Sequence, residues 1–592
     1  MNSFRKMRLL GVFFLYFWLF CRPFPCGYAE QVLKEPYADY ELKCGQSGGK
    51  LTLSTASEPK SFNPIVAQET STTQVTGFIF EGLTRTHPLT LEVLPNLAQN
   101  WQVDASGKEW VFNLRRDVYW NDGHKFSADD VLFTYKDLIY NPDIPNSARD
   151  IFTVEGKKIE VEKIDDYTVR FKLPFVFAPF LRAAAQEILP AHKYKNLVTQ
   201  KNFTFSLNVG SKACDIVGTG PFRLKTYLAG ERIILERNPF YWRKDSCANR
   251  LPYLDEIVFI ILPSSDTALL KFLEKEIDYY PVNAQDLSIL GPRRRADNFT
   301  IYNAGPAFVS NFIAFNQNAG ANPETKKSFV KPYKLKWFRN KDFRQAVSYA
   351  LNRQKIIELA MNTLGAPAYS PESPANTFFY SDKIEKYPFN PLKAKAIMNN
   401  LGFRDVNNDG VLEDTSGNRL EIDFYTNAND IERVKIATMI KKDLEDIGIK
   451  INFLSLDFNN LVAKLTATLD WEMVLIAFTG GIEPYFGKNV WSYKGGLHLW
   501  NLSGSAQEQY EETIENIFNE SAKTLDEGKR KELFAEFQLI ASRELPLIYT
   551  AVPYSLYAVR NNFGNLYPTV FGGAFGEIEY IYIQNNNQKT KN

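Results

Sequence analysis

The sequence predicts an α/β protein of several domains. Two patterns carry that expectation. Asp430 to Ile447 repeats apolar residues at helical spacing and is followed by Gly448 and the alternating strand Ile449 to Leu456, a helix-then-strand unit. From about 50 to 300, short strand-like runs alternate with turn clusters and a few helical stretches. The length of 592 residues leaves room for roughly two to four cores at about 150 residues each.

Composition narrows the class further. At 45% hydrophobic and 14% aromatic residues the chain is neither disordered nor of low complexity. A net charge of +1 provides no long-range field for DNA, RNA or anionic lipid, so nucleic acid is not an expected partner.

The elements follow in order. Arg5, Lys6 and Arg8 precede the apolar run Leu9 to Phe20, and Gly27-Tyr28-Ala29 is a small-x-small triplet. This reads as a secretory signal peptide over 1–29, because the twelve apolar residues span about 18 Å of a ~30 Å membrane core. Cys21 follows Phe20 and Cys26 follows Pro25, so neither has the small residue that a bacterial lipid-attachment box requires. Cleavage after Ala29 removes Arg5, Lys6, Arg8 and Arg22 and leaves 65 bases against 68 acids, a net charge of −3. A soluble, exported, periplasmic protein is expected.

Residues 30–49 are polar and end in Gln46-Ser47-Gly48-Gly49, which predicts a flexible leader with order beginning near 50. Trp110 to Leu114 and Thr168 to Leu173 read as strands. Ser127-Ala128-Asp129-Asp130 has the form of a capping box opening a helix that carries Val131, Tyr135 and Leu138. Asp342 to Met361 places Phe343, Ala346, Val347, Ala350, Ile356 and Ile357 on one helical face. Residues 505–544 are charged and helical, the late strands begin at Pro546 and Leu556, and 586–592 is a polar tail. Of the cysteines beyond the signal peptide, Cys214 and Cys247 could pair if the strand-like runs between them fold back; the alternative is that Cys44, Cys214 and Cys247 are all free thiols.

Catalytic and metal motifs are sparse. There is no G-x-S-x-G, H-E-x-x-H, C-x-x-C or P-loop, and Gly218-Thr219-Gly220 lacks the third glycine of a dinucleotide loop. His87, His124, His192 and His498 are far apart in sequence, read as hydrogen-bonding residues, and point to no nickel or haem site. Carboxylates can still converge in space, which keeps a secreted hydrolase (glycosidase or peptidase) as an alternative. Asp405, Asn407 and Asp409 with Gly410 have the spacing of a calcium loop, but Ser416 stands where an EF-hand has its bidentate glutamate. A polar turn is the competing reading, and no other cofactor is expected.

Several segments in register resemble the family 5 extracellular solute-binding proteins, the receptors of ABC importers. They include Ser61-Phe62-Asn63-Pro64, Phe80-Glu81-Gly82-Leu83, Leu94-Pro95-Asn96-Leu97-Ala98, Trp120-Asn121-Asp122-Gly123 and Phe126 to Val131. Gly218 to Phe222, Glu236 to Trp242, Glu276-Ile277-Asp278 and Phe343 to Val347 continue the pattern, so that the likeness runs from about 50 to 580.

The resemblance implies a class II periplasmic binding fold: two lobes with a hinge, plus an additional small domain. Lobe I would be 50–83, 215–305 and 545–585, the inserted domain 84–214, and lobe II 306–544, with hinge crossovers near 305 and 545. It implies a monomer that is not an enzyme and that captures a peptide or similarly sized polar solute for ABC permease and ATPase subunits. A binding protein used for signalling or chaperoning is the other reading.

Peptide-binding relatives carry an Asp four residues before a Pro, as the partner of the ligand's α-amino group. Counting back from Pro484 puts Gly480 at that place, so the anchor is missing, and Phe478 takes the place of a wall-forming Trp. The stretch that follows concentrates aromatics, glycines and amides. The candidate ligand contacts are Phe478, Thr479, Gly480, Glu483, Asn489, Trp491, His498, Trp500 and Asn501.

Overall fold

The computed structural model describes residues 33–34, 40–66, 70–154, 156–322 and 325–584. The expected signal peptide and the polar tail lie outside the described residues. Four sheets organise the chain, and they segregate along it in nested order.

In the first lobe, Lys50–Thr55 runs parallel to Glu256–Ile261, which continues antiparallel into Arg232–Arg237 and Phe222–Leu228. A second sheet of this lobe is built on Ala551–Arg560, flanked by Phe299–Pro306 and Tyr279–Pro281. The inserted domain is an antiparallel sheet in the order Ala98–Val103, Glu109–Leu114, Thr168–Lys172, Glu160–Asp165. Its strand Glu109–Leu114 alternates buried and half-buried residues, the period-2 pattern of a sheet with one face on a core. That core is continuous with the first sheet: Phe112, Phe171 and Phe180 belong to the same apolar cluster as Leu51, Ile257 and Phe259. The second lobe holds a mixed sheet in the order Lys450–Leu456, Glu421–Asn427, Met473–Thr479, Val309–Phe315, Leu547–Tyr549.

Local sequence signals explain the helix ends. Ser127 and Asp130 form the capping box of Ala128–Leu132, which continues as a wider turn over Phe133–Ile139. Asp430 caps Ile431–Glu445 by accepting from Arg433 N at 2.8 Å, and Gly448 takes the left-handed backbone (φ +91°) that ends the unit before Lys450–Leu456. The single helix expected over Asp342 to Met361 is two, Lys341–Ala350 and Arg353–Ala360. Asn352 starts the second by accepting from Lys355 N, a competing N-cap inside an unbroken apolar period.

Two expectations are corrected. The 30–49 leader is tied down wherever it is described: Leu33–Lys34 pairs with Ile301 and Tyr302, Lys43 N donates to Asn565 Oδ1 at 2.9 Å, and Gly48 N donates to Tyr253 O. The disulfide joins Cys44 to Cys247, while Cys214 is a free, exposed thiol. Cys247 sits in a turn folded around Asp245, whose carboxylate accepts from Cys247 N and Asn249 N. That turn faces the leader, so the partner 203 residues away is the one within reach.

The chain crosses between lobes twice. Ala307 and Phe308 lead from Phe299–Pro306 into Val309–Phe315, and Thr550 leads from Leu547–Tyr549 into Ala551–Arg560. Thr550 donates both its N–H and its hydroxyl to Asn311 O, at 3.0 and 3.1 Å, which laces the two crossings together. Among the described residues no helix is long and apolar enough to cross a membrane.

Candidate ligand cleft

The site is framed by the end of Met473–Thr479 and the start of Val309–Phe315. Ser310 lies directly opposite Phe478 in this antiparallel pair, so the two side chains share one face of the sheet. The Phe478 ring packs on Phe312 at 5.1 Å. Gly480 N donates to Phe308 O at 2.8 Å, which carries the ladder one step past the strand. Thr479, Gly480 and Gly481 are exposed, and a Cβ added at Gly481 would meet nothing within 4 Å. Backbone is therefore open to a ligand here, as glycine permits.

Beside this edge lies a cavity of about 230 Å³, lined by Ser310, Tyr369, Ser370, Glu372, Tyr380 and Lys386 among others. Asn376 joins its floor to the strand end: the side-chain amide donates to Glu372 Oε2 and to Ile482 O, both at 3.0 Å. Burial pushes the Glu372 carboxyl up to about 7; the Asn376 hydrogen bond opposes this and the nearby Glu483 carboxylate reinforces it.

Glu483 does not face the cavity. It is buried, caps the turn Pro484–Gly487 by accepting from Tyr485 N, and pairs with Arg530 at 2.5 Å and Arg182 at 3.7 Å. Arg182 comes from the inserted domain, which also meets the second lobe through Ala178 N to Ala522 O at 2.7 Å and through the Phe177 and Tyr485 rings at 5.3 Å. Its Oε1 accepts from Arg530, its Oε2 faces Arg182 at 3.7 Å without a hydrogen bond, and the buried carboxylate does not line the cavity.

The aromatic stretch after Pro484 is internal packing. Trp491 lies against Trp500 and Phe537 with ring centroids 5.5 and 4.7 Å away, inside an apolar cluster with Phe518 and Phe534. His498 is fully buried between Val490 O and Glu511 Oε1, at 2.9 and 3.0 Å. Trp500 Nε1 and Asn501 Nδ2 donate to the same Glu511 carboxylate, at 3.2 and 3.3 Å. Burial pushes the Glu511 carboxyl up, but the His498 and Gln507 N–H hydrogen bonds outweigh it and hold the group below its ordinary value. Asn489 fastens this loop by accepting from Gly496 N at 2.7 Å, and a Cβ at Gly495 would lie 2.0 Å from Asn489 O. Trp491, His498, Trp500, Asn501 and Asn489 thus build the second lobe, and only Phe478, Thr479 and Gly480 of the candidate set stand at the open edge. Sequence reasoning missed Ser310, Tyr369 and Glu372, which no local motif marks because the fold brings them in from a separate segment.

In the loop at 405–413 the carboxylates turn inward to backbone. Asp405 accepts from Asp409 N and Gly410 N at 3.1 and 3.0 Å, Asn407 Oδ1 accepts from Asp409 N, and Asp409 pairs with Arg419 at 2.5 Å. A calcium ion that used this Asp409 oxygen would have to displace Arg419.

Two lobes laced by paired crossings, with a partly enclosed cavity beside those crossings that is lined by second-lobe residues and by Val552 of the first, define the architecture of a two-lobed binding protein. The sequence comparison is specific. Residues 92–496 match the sequence model described as "Bacterial extracellular solute-binding proteins, family 5 Middle", and the chain belongs to that family. It is similar to a "Probable ABC transporter-binding protein" of Deinococcus radiodurans, 30% identical over 534 residues covering 86% of this chain and 87% of the relative. It is also similar to the "Oligopeptide-binding protein AppA" of Bacillus subtilis, 27% identical over 438 residues covering 72% of each. The solved structure of B. subtilis AppA in complex with a nonapeptide matches with a TM-score of 0.67 at 22% identity, covering 92% of this chain and all of that one. The fold is the α/β periplasmic binding fold, and members of the family are solute-binding proteins rather than enzymes.

Proposed function

We propose that this protein is exported to the periplasm by the segment 1–29, captures a peptide with a free amino terminus in the cleft beside Phe478–Gly480, and delivers it to an ABC permease and its ATPase. The observation that carries the reading is the position of Glu372. Gly480 lacks the carboxylate that peptide-binding relatives have there, but Asn376 bridges Glu372 to the carbonyl of Ile482, which brings a carboxylate to within one amide of the same strand end.

Glu372 lines the cavity, and its burial costs the charged form solvation. An incoming ammonium would restore favourable interaction to that carboxylate. The ligand amine would be met by Glu372, its first carbonyl and N–H by the exposed backbone at Thr479–Gly481, and its first side chain by the Phe478 face. Closure then excludes water and strengthens each contact. Because a closed, occupied form makes contacts that an open form lacks, the permease can discriminate between them.

Calorimetry with a library of unmodified peptides and their N-acetylated counterparts tests this. Binding of the free-amine series that weakens at least ~10-fold on acetylation, and equally on Glu372→Gln, is expected. Equal affinity for both series overturns the amine assignment, and absence of peptide binding overturns the peptide reading. Turnover of peptides or glycosides would restore the hydrolase alternative, and peptide binding with no uptake through a permease would favour the signalling one.

A further inference from the structure

Two of the four histidines, far apart in sequence, meet on the inserted domain. His192 Nε2 lies 2.8 Å from Asp122 Oδ2, and His124 Nδ1 lies 3.2 Å from Asp122 Oδ1. The two imidazoles stack with centroids 4.0 Å apart and planes inclined by 23°, and one donor atom from each of the three residues falls within 4.8 Å of the others. We propose that Asp122, His124 and His192 bind a divalent first-row metal ion, zinc(II) first among them.

The donor set argues for this class. Two imidazoles and one carboxylate suit zinc, nickel and copper, whereas calcium and magnesium prefer all-oxygen sites. At metal–ligand distances of about 2.0–2.2 Å, adjacent donors in tetrahedral or octahedral geometry stand roughly 3.0–3.5 Å apart. The two nitrogen–oxygen separations bracket the lower end of that range; because an imidazole binds along its ring plane and the two rings are stacked at 23°, one ring must turn out of the stack for both nitrogens to face the ion.

The scaffold holds the donors before any ion arrives. Asp122 and His124 share a tight turn closed by Trp120 N to His124 O at 2.8 Å and Gly123 N to Trp120 O at 2.9 Å, with Gly123 in left-handed backbone (φ +89°). His192 is the second residue of the helix Ala191–Thr199. One buried carboxylate fixes both pieces: Asp130 Oδ1 accepts from Ala191 N at 2.8 Å, and its Oδ2 accepts from Trp120 Nε1 at 3.3 Å. Asp122 Oδ1 also accepts from His124 N at 3.2 Å, which orients the carboxylate. The neighbouring Lys193 is neutralised by Asp215 at 2.9 Å. The three donors reach solvent, and the remaining coordination positions are open to water or to a donor from outside the protein.

The test is zinc chloride titrated into the full-length mature chain after chelation, followed by calorimetry and native mass spectrometry, with cobalt(II) absorption as a report on imidazole ligation. One zinc per chain is expected, weakened at least 10-fold in His124→Ala and in His192→Ala and retained in Cys214→Ser. Circular dichroism checks that each variant is folded; His124 is largely exposed, so its removal leaves the fold intact. No stoichiometric zinc on the wild-type protein, binding unchanged in both histidine variants, or binding lost in Cys214→Ser would each overturn the assignment.

Discussion

Arg182 of the inserted domain and Glu483 of the second lobe lie 3.7 Å apart with side chains 8% and 1% exposed. Arg530 takes the other carboxylate oxygen at 2.5 Å, so one buried anion lies between a cation of the inserted domain and one of its own lobe. Glu483→Ala would leave Arg530 buried without its paired carboxylate and would take from Arg182 the nearer of its two carboxylate neighbours, Glu483 and Glu527. A loss of about 3–5 kcal/mol is expected in denaturant melts. Arg182→Met keeps the Glu483 pair with Arg530 and removes the bridge, so a small stability change with a larger radius of gyration by small-angle scattering is expected.

Trp491 and Phe478 should separate stability from binding. Trp491→Ala empties a site packed on Trp500 and Phe537 and should cost about 3–5 kcal/mol, with peptide affinity unchanged in the folded fraction. Phe478→Ala, at a half-buried strand end, should cost less stability and weaken peptide binding by roughly tenfold. Thermal melts paired with calorimetry on each variant check both.

Glu372 gives a pH dependence whose sign follows from its raised pKa. The folded chain holds a proton between its ordinary 4.5 and about 7 that the unfolded chain has released. The contribution to stability is therefore complete below about pH 4.5 and is lost as pH rises through about 7. Part of the side chain is accessible through the cavity, so solvent screening leaves about 1–2 kcal/mol. Glu372→Gln, which mimics the protonated form, should stabilise the protein at pH 8 and change little at pH 4. Urea melts at the two pH values read this directly, and the variant that gains stability should be the one that loses the ligand amine.

Cys44→Ser and Cys247→Ser should each lower stability by about 2–4 kcal/mol under oxidising conditions and be indistinguishable from one another. Cys214→Ser should leave the melting temperature unchanged, and among the described cysteines Cys214 alone should react with a thiol reagent in the native state.

Chelation of calcium should not alter the melting temperature, because Arg419 already holds Asp409 and backbone N–H groups satisfy Asp405. Arg419→Ala frees that oxygen; a calcium-dependent rise in melting temperature in this variant alone would show that the arginine takes the place of the ion.

Elements whose signals are local were legible in the sequence. The Ser127–Asp130 box and Gly448 each depend on residues within a few positions of one another, and the structure places them as the spacing implies. The exposed strand end was half legible: Phe478 to Gly480 could be placed by counting back from Pro484, whereas Glu372 reaches the neighbouring cavity through Asn376 and the course of the chain. Trp491 and Trp500 misled because an aromatic beside glycines reads alike whether it lines a cleft or fills a core. What decided between these was Glu511, a buried anion that turns His498, Trp500 and Asn501 inward. Cysteine order carried no geometry, and the nearest partner in sequence was not the nearest in space.

The link between Cys44 and Cys247 closes a covalent ring of chain, and the whole of the inserted domain lies within it. A protease that nicks that domain once therefore cannot release a fragment: both pieces stay joined at the base of the first lobe until a reductant opens the ring. The domain can be breached locally while the receptor remains one molecule, a form of damage tolerance suited to a protein working outside the reach of cytoplasmic repair.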